Sequence, residues 1–275
     1  MEELKLRGYV TPEDCTGSDA EKLQKALDLA VELDIRKVIV EKSYTLEKTV
    51  LIPAWIEIIF AAGVQLTAQN GVLFANAVSA DPAKASWSFE DKKIFLRAEK
   101  GAVLKGDFNF FHAGRLVMED LVIEGAVSFE FSREIRMERN TITAANAPAL
   151  TLKRGCNNFI VQYNKFAGKG YGVVIDTALA DGPYVIGKDA DCHELIIREN
   201  EISAEKAMFI GATADNGLYN VQIDHVKADG KGLTIGHAGE TLAKERYFNM
   251  TATDFTVKED ALVLNNEVKH CYFGD

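Results

Sequence analysis

Several features are scarce or missing in this chain of 275 residues, and each omission narrows the reading. Cysteine occurs four times, at Cys15, Cys156, Cys192 and Cys271, with no CxxC and no zinc-type spacing. No apolar run approaches the length of a membrane span, so no membrane partner is expected. Met1 to Leu6 lack the apolar core of an export leader. The expectation is a cytoplasmic protein or a mature form whose leader has been removed. Positive charge is in deficit: 31 Lys and Arg stand against 41 Asp and Glu, a net charge of −10 with a pI near 5.1. That excludes broad binding to a phosphate backbone, and nucleic acid with it. It also disfavours an anionic polysaccharide, unless a local basic strip overrides the net field. Two adjacent aspartates occur nowhere, and no linker or composition break divides the chain.

What the sequence does contain is a repeat. Apolar residues five apart recur as Met118/Ile123, Met137/Ile142, Val161/Phe166, Ile197/Ile202, Val221/Val226 and Met250/Phe255. The first members lie 19, 24, 36, 24 and 29 residues apart. The position three further on reads Leu121, Asn140, Asn164, Asn200, Asp224 and Thr253. Short alternating strands begin 11 to 13 residues after each anchor, from Phe129–Phe131 through Leu150–Leu152, Val173–Ile175, Met208–Ile210 and Leu233–Ile235 to Leu262–Leu264. A period of this length marks a solenoid, and a coil that cannot bury its own apolar face must stack on its neighbours. Asn at one position of successive coils suits a tight left-handed turn, and stacked amides hydrogen-bond along the stack. The fold class read here is all-β: a right-handed parallel β-helix of nine to ten coils, in a single domain over residues 1–275 with coils from 37 to 273.

Residues 1–17 read as an extended lead-in. Ser18 and Glu21 form a capping box, and Leu23, Ala26, Leu27, Ala30 and Val31 make one apolar stripe. An amphipathic helix over 18–33 is therefore expected to cover the first coil, because an open strand stack invites edge pairing. Strands follow at Lys37–Val40, Tyr44–Leu46, Val50–Ile52, Ile56–Phe60 and Val64–Leu66. Residues 79–91, with Pro82 and Trp87, read as an excursion. Strands at Ile94–Leu96, Ala102–Leu104 and Phe108–Phe110 re-enter the pattern, with Phe108, Phe110 and Phe111 as core. Two long loops, 176–193 and 236–246, are where binding is expected. The first holds Asp176, Asp181, Tyr184, Lys188, Asp189, Asp191 and His193, aspartates that would suit calcium but lack strict loop spacing. No other cofactor is implied. Cys156 and Cys192 share a register, five before Val161 and Ile197; stacked free thiols or a disulfide both fit that geometry. No closing segment follows the strand Cys271–Phe273. That end is expected to pair with another subunit, giving a homo-oligomer, or to continue in a longer chain.

The segment from Ser18 to Pro53, a capped helix followed by Val-Ile-Val, Tyr-Thr-Leu and Val-Leu-Ile-Pro, resembles the start of the pectin-lyase-like superfamily. The resemblance implies a right-handed parallel β-helix and a polysaccharide or oligosaccharide as partner. Residues 229–236 and 249–257 are similar to a segment of the polygalacturonase-type glycoside hydrolases. The positions where that family carries Asn-Thr-Asp, Asp-Asp, Gly-His-Gly and Arg-Ile-Lys hold here Gly170-Tyr171-Gly172, Glu205-Lys206, Gly230-Lys231-Gly232 and Val263-Leu264-Asn265. Glycoside hydrolysis needs paired carboxylates, and these positions do not supply them. What remains is a row of charges: Lys169, Glu205, Lys206, Lys231, Glu259 and Asp260. A lysine held among cations can act as a base, the chemistry of uronic-acid β-elimination, which points to Lys206 and Lys231. The candidate site residues are Glu205, Lys206, Lys231, Asp176, His237 and Glu240, for a lyase or a divergent hydrolase. The alternative is a non-catalytic binding or structural β-helix. His193 reads as a surface residue and His225 as structural.

Overall fold

The computed structural model describes residues 1–81, 92–182 and 190–274. Pro82 and Trp87 of the expected excursion, and Tyr184, Lys188 and Asp189 of the long loop, lie outside the described residues. The fold is a parallel β-helix. Every pairing between strands is parallel, in a ten-stranded sheet and a fifteen-stranded sheet. The chain visits three faces per coil. The ten-stranded sheet is the first. The second carries short strands such as Thr141–Thr143 and Lys165–Ala167. The third carries Leu150–Lys153, Tyr171–Asp176, Lys206–Gly211, Lys231–Ile235 and Glu259–Leu264. Faces two and three are one sheet because two long strands, Gln65–Asn76 and Val103–Phe111, bend from one to the other. The sequence pattern splits the second of these into Ala102–Leu104 and Phe108–Phe110. Gly106, at φ 143, lets the chain turn the corner without leaving the sheet.

Residues 1–17 are extended only in part, as at Val10, which bridges Val38. They form a helix α1 (Glu2–Arg7), closed by left-handed Gly8, and a 3-10 turn at Pro12–Asp14. Helix α2 (Asp19–Glu32) follows, with its Ser18–Glu21 capping box and with Ala20, Leu23, Ala26, Leu27 and Ala30 buried. It lies against the strands Lys37–Val40, Tyr44–Leu46 and Val50–Ile52, and its polar side chains satisfy their outer edge. Asp19 accepts from the Thr45 amide at 2.8 Å, and the Gln24 side chain both accepts from Leu51 N (2.8 Å) and donates to Leu51 O (3.0 Å). No helix among the described residues is long and apolar enough to cross a membrane.

The core is one cluster running from Val10 to Ala252, with a phenylalanine stack along its axis. Phe74–Phe108 (5.2 Å), Phe110–Phe129 (5.0 Å) and Phe129–Phe159 (5.3 Å) follow one another. Phe111 belongs instead to a small second cluster with Phe131. Cys156 and Cys192 are buried free thiols on adjacent coils, next to the pair Asn157 and His193.

The asparagine ladder is present, and its stacked amides bond to one another as expected, Asn140 Nδ2 to Asn164 Oδ1 at 2.9 Å and Asn164 Nδ2 to Asn200 Oδ1 at 3.1 Å; the left-handed turn lies elsewhere. Asn140, Asn164 and Asn200 are each about 1% exposed. Each amide oxygen accepts from the backbone N–H at the same position of the previous coil: Leu121 N to Asn140 (3.0 Å), Asn140 N to Asn164 (2.9 Å) and Asn164 N to Asn200 (2.9 Å). Each Nδ2 donates to a carbonyl of the coil before it: Met118, Met137 and Val161. The left-handed turn is made by the residue before the ladder position, namely Asp120 before Leu121 and Arg139, Tyr163 and Glu199 before the asparagines. The last two anchors also move. Ile197 pairs with Ile223, not Val221, and Ile223 with Ala252, not Met250. The ladder position above Asn200 is therefore Val226, buried and apolar. Asp224 and Thr253 sit in the outward column of Arg198, where the Thr253 hydroxyl donates to Asp224 at 2.8 Å. A slip of two residues preserves which face a side chain points to, so alternation alone does not detect it.

Candidate functional site

The six candidate residues fall at the two ends of one strand, Lys206–Gly211, on the outer surface of the third face. Glu205, Lys206 and Lys231 are at its start; Asp176, His237 and Glu240 are at its finish. Five residues at strand rise put roughly 16 Å between the ends. At the first end, Lys206 pairs in register with Tyr171 on one side and Lys231 on the other. The Lys206 ammonium lies 5.0 Å from the Tyr171 ring centre and 3.4 Å from its hydroxyl. Lys231 forms an ion pair with Asp260 at 3.0 Å. The two amines therefore do not stand among cations alone: each has a partner of its own. Glu205 is exposed in the turn, and its carbonyl accepts from Lys231 N at 3.0 Å. Lys169 is exposed in the preceding turn.

At the second end, Asp176 is buried and aligned with Gly211. Its Oδ1 accepts from Ala178 N (2.9 Å) and lies 3.2 Å from His237 Nε2. Gly211 makes this possible: a Cβ there would sit 2.7 Å from both Asp176 Oδ1 and His237 Nε2. Glu240 is exposed, and its N–H donates to the His237 carbonyl at 3.3 Å. Beneath them Tyr247 is fully buried and its hydroxyl accepts from Ala212 N at 2.9 Å. Burial pushes that hydroxyl above its ordinary pKa, with smaller contributions from Asp176 and Glu240.

Two aromatic side chains join the ends. Phe209 faces outward between buried Met208 and Ile210; its ring is 5.5 Å from Tyr171 and 5.0 Å from His237. The result is a continuous half-buried row, Lys206–Tyr171–Phe209–His237–Asp176. The motif comparison does not reveal Tyr171 and Phe209 as site residues. Strand parity marks Phe209 as outward-facing, because an aromatic between two inward apolar residues must face out; Tyr171, between Gly170 and Gly172, carries no such signal.

The aspartates of the long loop hold separate partners rather than one ion. Asp181 pairs with Lys153, and its N–H donates to buried Glu130 at 2.9 Å. Glu130 also accepts from Arg154 at 2.9 Å, and Arg154 donates to the Gly182 carbonyl at 2.6 Å. These bonds pin residues 181–182 two coils below Asp176, beside a separate cavity of about 430 Å³. Asp191 accepts from Gly217 N. His193 stacks on Tyr219, centroids 4.7 Å apart. His225 lies between Asp224 (2.9 Å) and Asp254 (3.5 Å) at the opposite corner. That trio is the one cluster of possible metal ligands among the described residues.

The parallel β-helical fold has likenesses among solved structures. No family model matches the sequence, and no curated protein does. Among solved structures, the family 28 exopolygalacturonase of Yersinia enterocolitica is similar with a TM-score of 0.52, over 96% of this chain and 78% of that one at 9% identity. A tailspike double mutant of E. coli bacteriophage HK620, in complex with pentasaccharide, gives 0.48 over 94% and 68% at 10% identity. The Streptococcus pneumoniae surface protein and adhesin PfbA gives 0.44 over 97% and 100% at 10% identity.

Proposed function

We propose that this protein binds an oligosaccharide or polysaccharide along the outer surface of its third face. The observation that carries the reading is the row Lys206–Tyr171–Phe209–His237–Asp176. Aromatic faces match the apolar faces of sugar rings, and a buried, oriented carboxylate–imidazole pair supplies fixed hydrogen bonds at one end. Lys206 and Lys231 supply positive charge at the other end, so a uronic-acid chain is the ligand class that complements this row within an acidic protein. We take the coils to wind right-handed, as parallel crossovers do almost without exception, nine to ten in number, in one domain with α2 as the N-terminal cap. The likeness to an exopolygalacturonase makes a sugar polymer the natural class to test.

The separation of the two ends favours binding over hydrolysis by Glu205 with Glu240. Those two residues lie off opposite ends of a strand roughly 16 Å long, whereas the carboxyl groups of glycosidase pairs stand about 5 to 9.5 Å apart. A hydrolase would use Asp176 with Glu240, which share an end. A lyase would use Lys206 and Lys231: an amine takes the proton beside the uronate carboxyl, the C–O bond to the departing chain breaks, and that oxygen is protonated.

The test is a panel of neutral and uronic-acid polysaccharides, with and without calcium, followed by binding, reducing ends and absorbance of unsaturated products. Uronic-acid binding is expected to weaken about tenfold or more in Phe209→Ala, through loss of one stacking platform. Unsaturated product that disappears in Lys206→Ala and Lys231→Ala identifies a lyase. Reducing ends that disappear in Asp176→Asn identify a hydrolase. Binding without product is the non-catalytic form of the same reading. Unchanged affinity in Phe209→Ala would reject it.

A further inference from the structure

The ten-stranded sheet carries an unusual backbone feature along nearly its whole length. In every strand of it but the first, the residue near the start of the strand is left-handed and not glycine: Trp55, Lys93, Arg115, Glu134, Asn158, Glu194, Asn220, Asn249 and His270. These residues form one column.

The column changes its chemistry halfway. In the lower coils its side chains are spent on one another: the Lys93 ammonium sits 3.7 Å above the Trp55 ring, and Arg115 pairs with Glu134 at 2.7 Å. From Asn158 upward the column borders a groove of about 440 Å³ lined by Asn158, Glu194, Asn220 and Asn249 on one side and Ile160, Ile196, Gln222 and Thr251 on the other. Asn tolerates the left-handed region better than most residues. That does not explain the change, because Trp, Lys, Arg and Glu hold the same conformation in the other coils. Three of the four groove positions, Asn158, Asn220 and Asn249, are amides, and the fourth is Glu194.

We propose that this groove is a second binding site, for an uncharged oligosaccharide lying parallel to the axis of the β-helix. The site goes beyond the third-face row and does not depend on it. No lysine or arginine lines the groove, and its single carboxylate, Glu194, is 3.2 Å from His193 Nδ1. An anionic chain therefore finds no counter-charge, in contrast to the Lys206–Lys231 end of the third face. Amides offer paired donors and acceptors, which vicinal hydroxyls match. Asn249 Nδ2 donates to Asn220 Oδ1 at 2.7 Å, and among the described residues the remaining amide groups of this pair have no side-chain hydrogen bond. They face solvent as one donor and one acceptor. Within the groove the column carries an amide at Asn158, Asn220 and Asn249 and a carboxylate at Glu194; Asn220 and Asn249 are on adjacent coils, about 4.8 Å apart, a step comparable with the advance of one sugar ring along an extended glycan. Ile160 and Ile196 give the opposite wall an apolar surface for ring faces, and Ile160 is 37% exposed.

The experiment titrates gluco-, manno- and galacto-configured neutral pentasaccharides into the full chain by calorimetry. Wild type is compared with Asn220→Gly/Asn249→Gly and with Phe209→Ala. Glycine holds the left-handed backbone without strain, so the amides are removed while the backbone conformation stays. At least one pentasaccharide is expected to bind wild type and Phe209→Ala equally, and the double glycine variant about tenfold more weakly, for two lost hydrogen bonds. Gln222→Ala, an exposed position with ordinary backbone, is expected to weaken the same ligand several-fold and covers the case in which the double variant is unstable. Equal affinity in all groove variants overturns the proposal, as does silence across the panel or a loss confined to Phe209→Ala. Failure of the third-face reading shows separately, in the uronic-acid arm.

Discussion

At the scale of single residues, two histidines shift in opposite directions. Burial pushes His112 down to about 4, with Arg133 adding to it. Asp224, and then Asp254, push His225 up. The signs differ in their effect on stability. His112 binds its proton less well folded than unfolded, so its contribution is complete above about pH 6.5 and is lost as pH falls toward 4, about 3 kcal/mol in all. His225 binds its proton better folded, so its small surface contribution is present below about pH 6.5 and fades as pH rises through its elevated value. Histidine NMR titrations should show one resonance still neutral at pH 5 and one still charged above the ordinary range. Urea midpoints should fall less between pH 6.5 and 4.5 in His112→Asn than in wild type. Asn164→Leu removes the acceptor for Asn140 N and the donor to Met137 O, both buried. It should cost about 3 kcal/mol or more, measured as a shift in urea midpoint at constant slope. The recurrence of this asparagine was legible in the sequence. The bonding between its stacked amides was legible too, whereas the seat of the turn was not, because the left-handed residue at this corner carries no consistent side chain: Asp120, Arg139, Tyr163 and Glu199 share only a backbone angle.

At the scale of elements, α2 was legible nearly to the residue. Its capping box and apolar stripe are local signals that tertiary packing did not need to override. The strands of the first coils were equally plain, since Lys37–Val40, Tyr44–Leu46 and Val50–Ile52 alternate and are bounded by turn residues. The fusion of two strands into Val103–Phe111 was hidden, because glycine at a bend looks like glycine at a break. α1 was hidden for another reason: it buries nothing, so no periodicity announces it. The bonds from Gln24 to both backbone groups of Leu51 suggest what α2 does beyond packing. Gln24→Ala should lower stability by about 1–2 kcal/mol and expose a strand edge. Light scattering at rising concentration should show more association than in wild type, and Gln24→Glu, which keeps the acceptor, should fall between.

At the scale of the whole molecule, the site was legible in parts and scrambled in assembly. Asp176, His237 and Glu240 converge although 61 residues separate the first two, because loop lengths vary while the strand register does not. Lys206 and Lys231 also align as expected. What the sequence did not convey is that one strand keeps the two groups apart, with Tyr171 and Phe209 bridging them.

The stacking of coils through Asn140, Asn164 and Asn200 has a mechanical consequence. Backbone and amide bonds between coils all point along the molecule's long axis, so a load applied lengthwise strains them in tension, while a load applied across it strains them in shear. Pulled by its ends, the molecule should therefore peel rather than snap, one turn at a time. The lengths released should be unequal, because the ladder spans 24 residues from Asn140 to Asn164 and 36 from Asn164 to Asn200. A single-molecule force trace should read these loop lengths as a series of uneven steps.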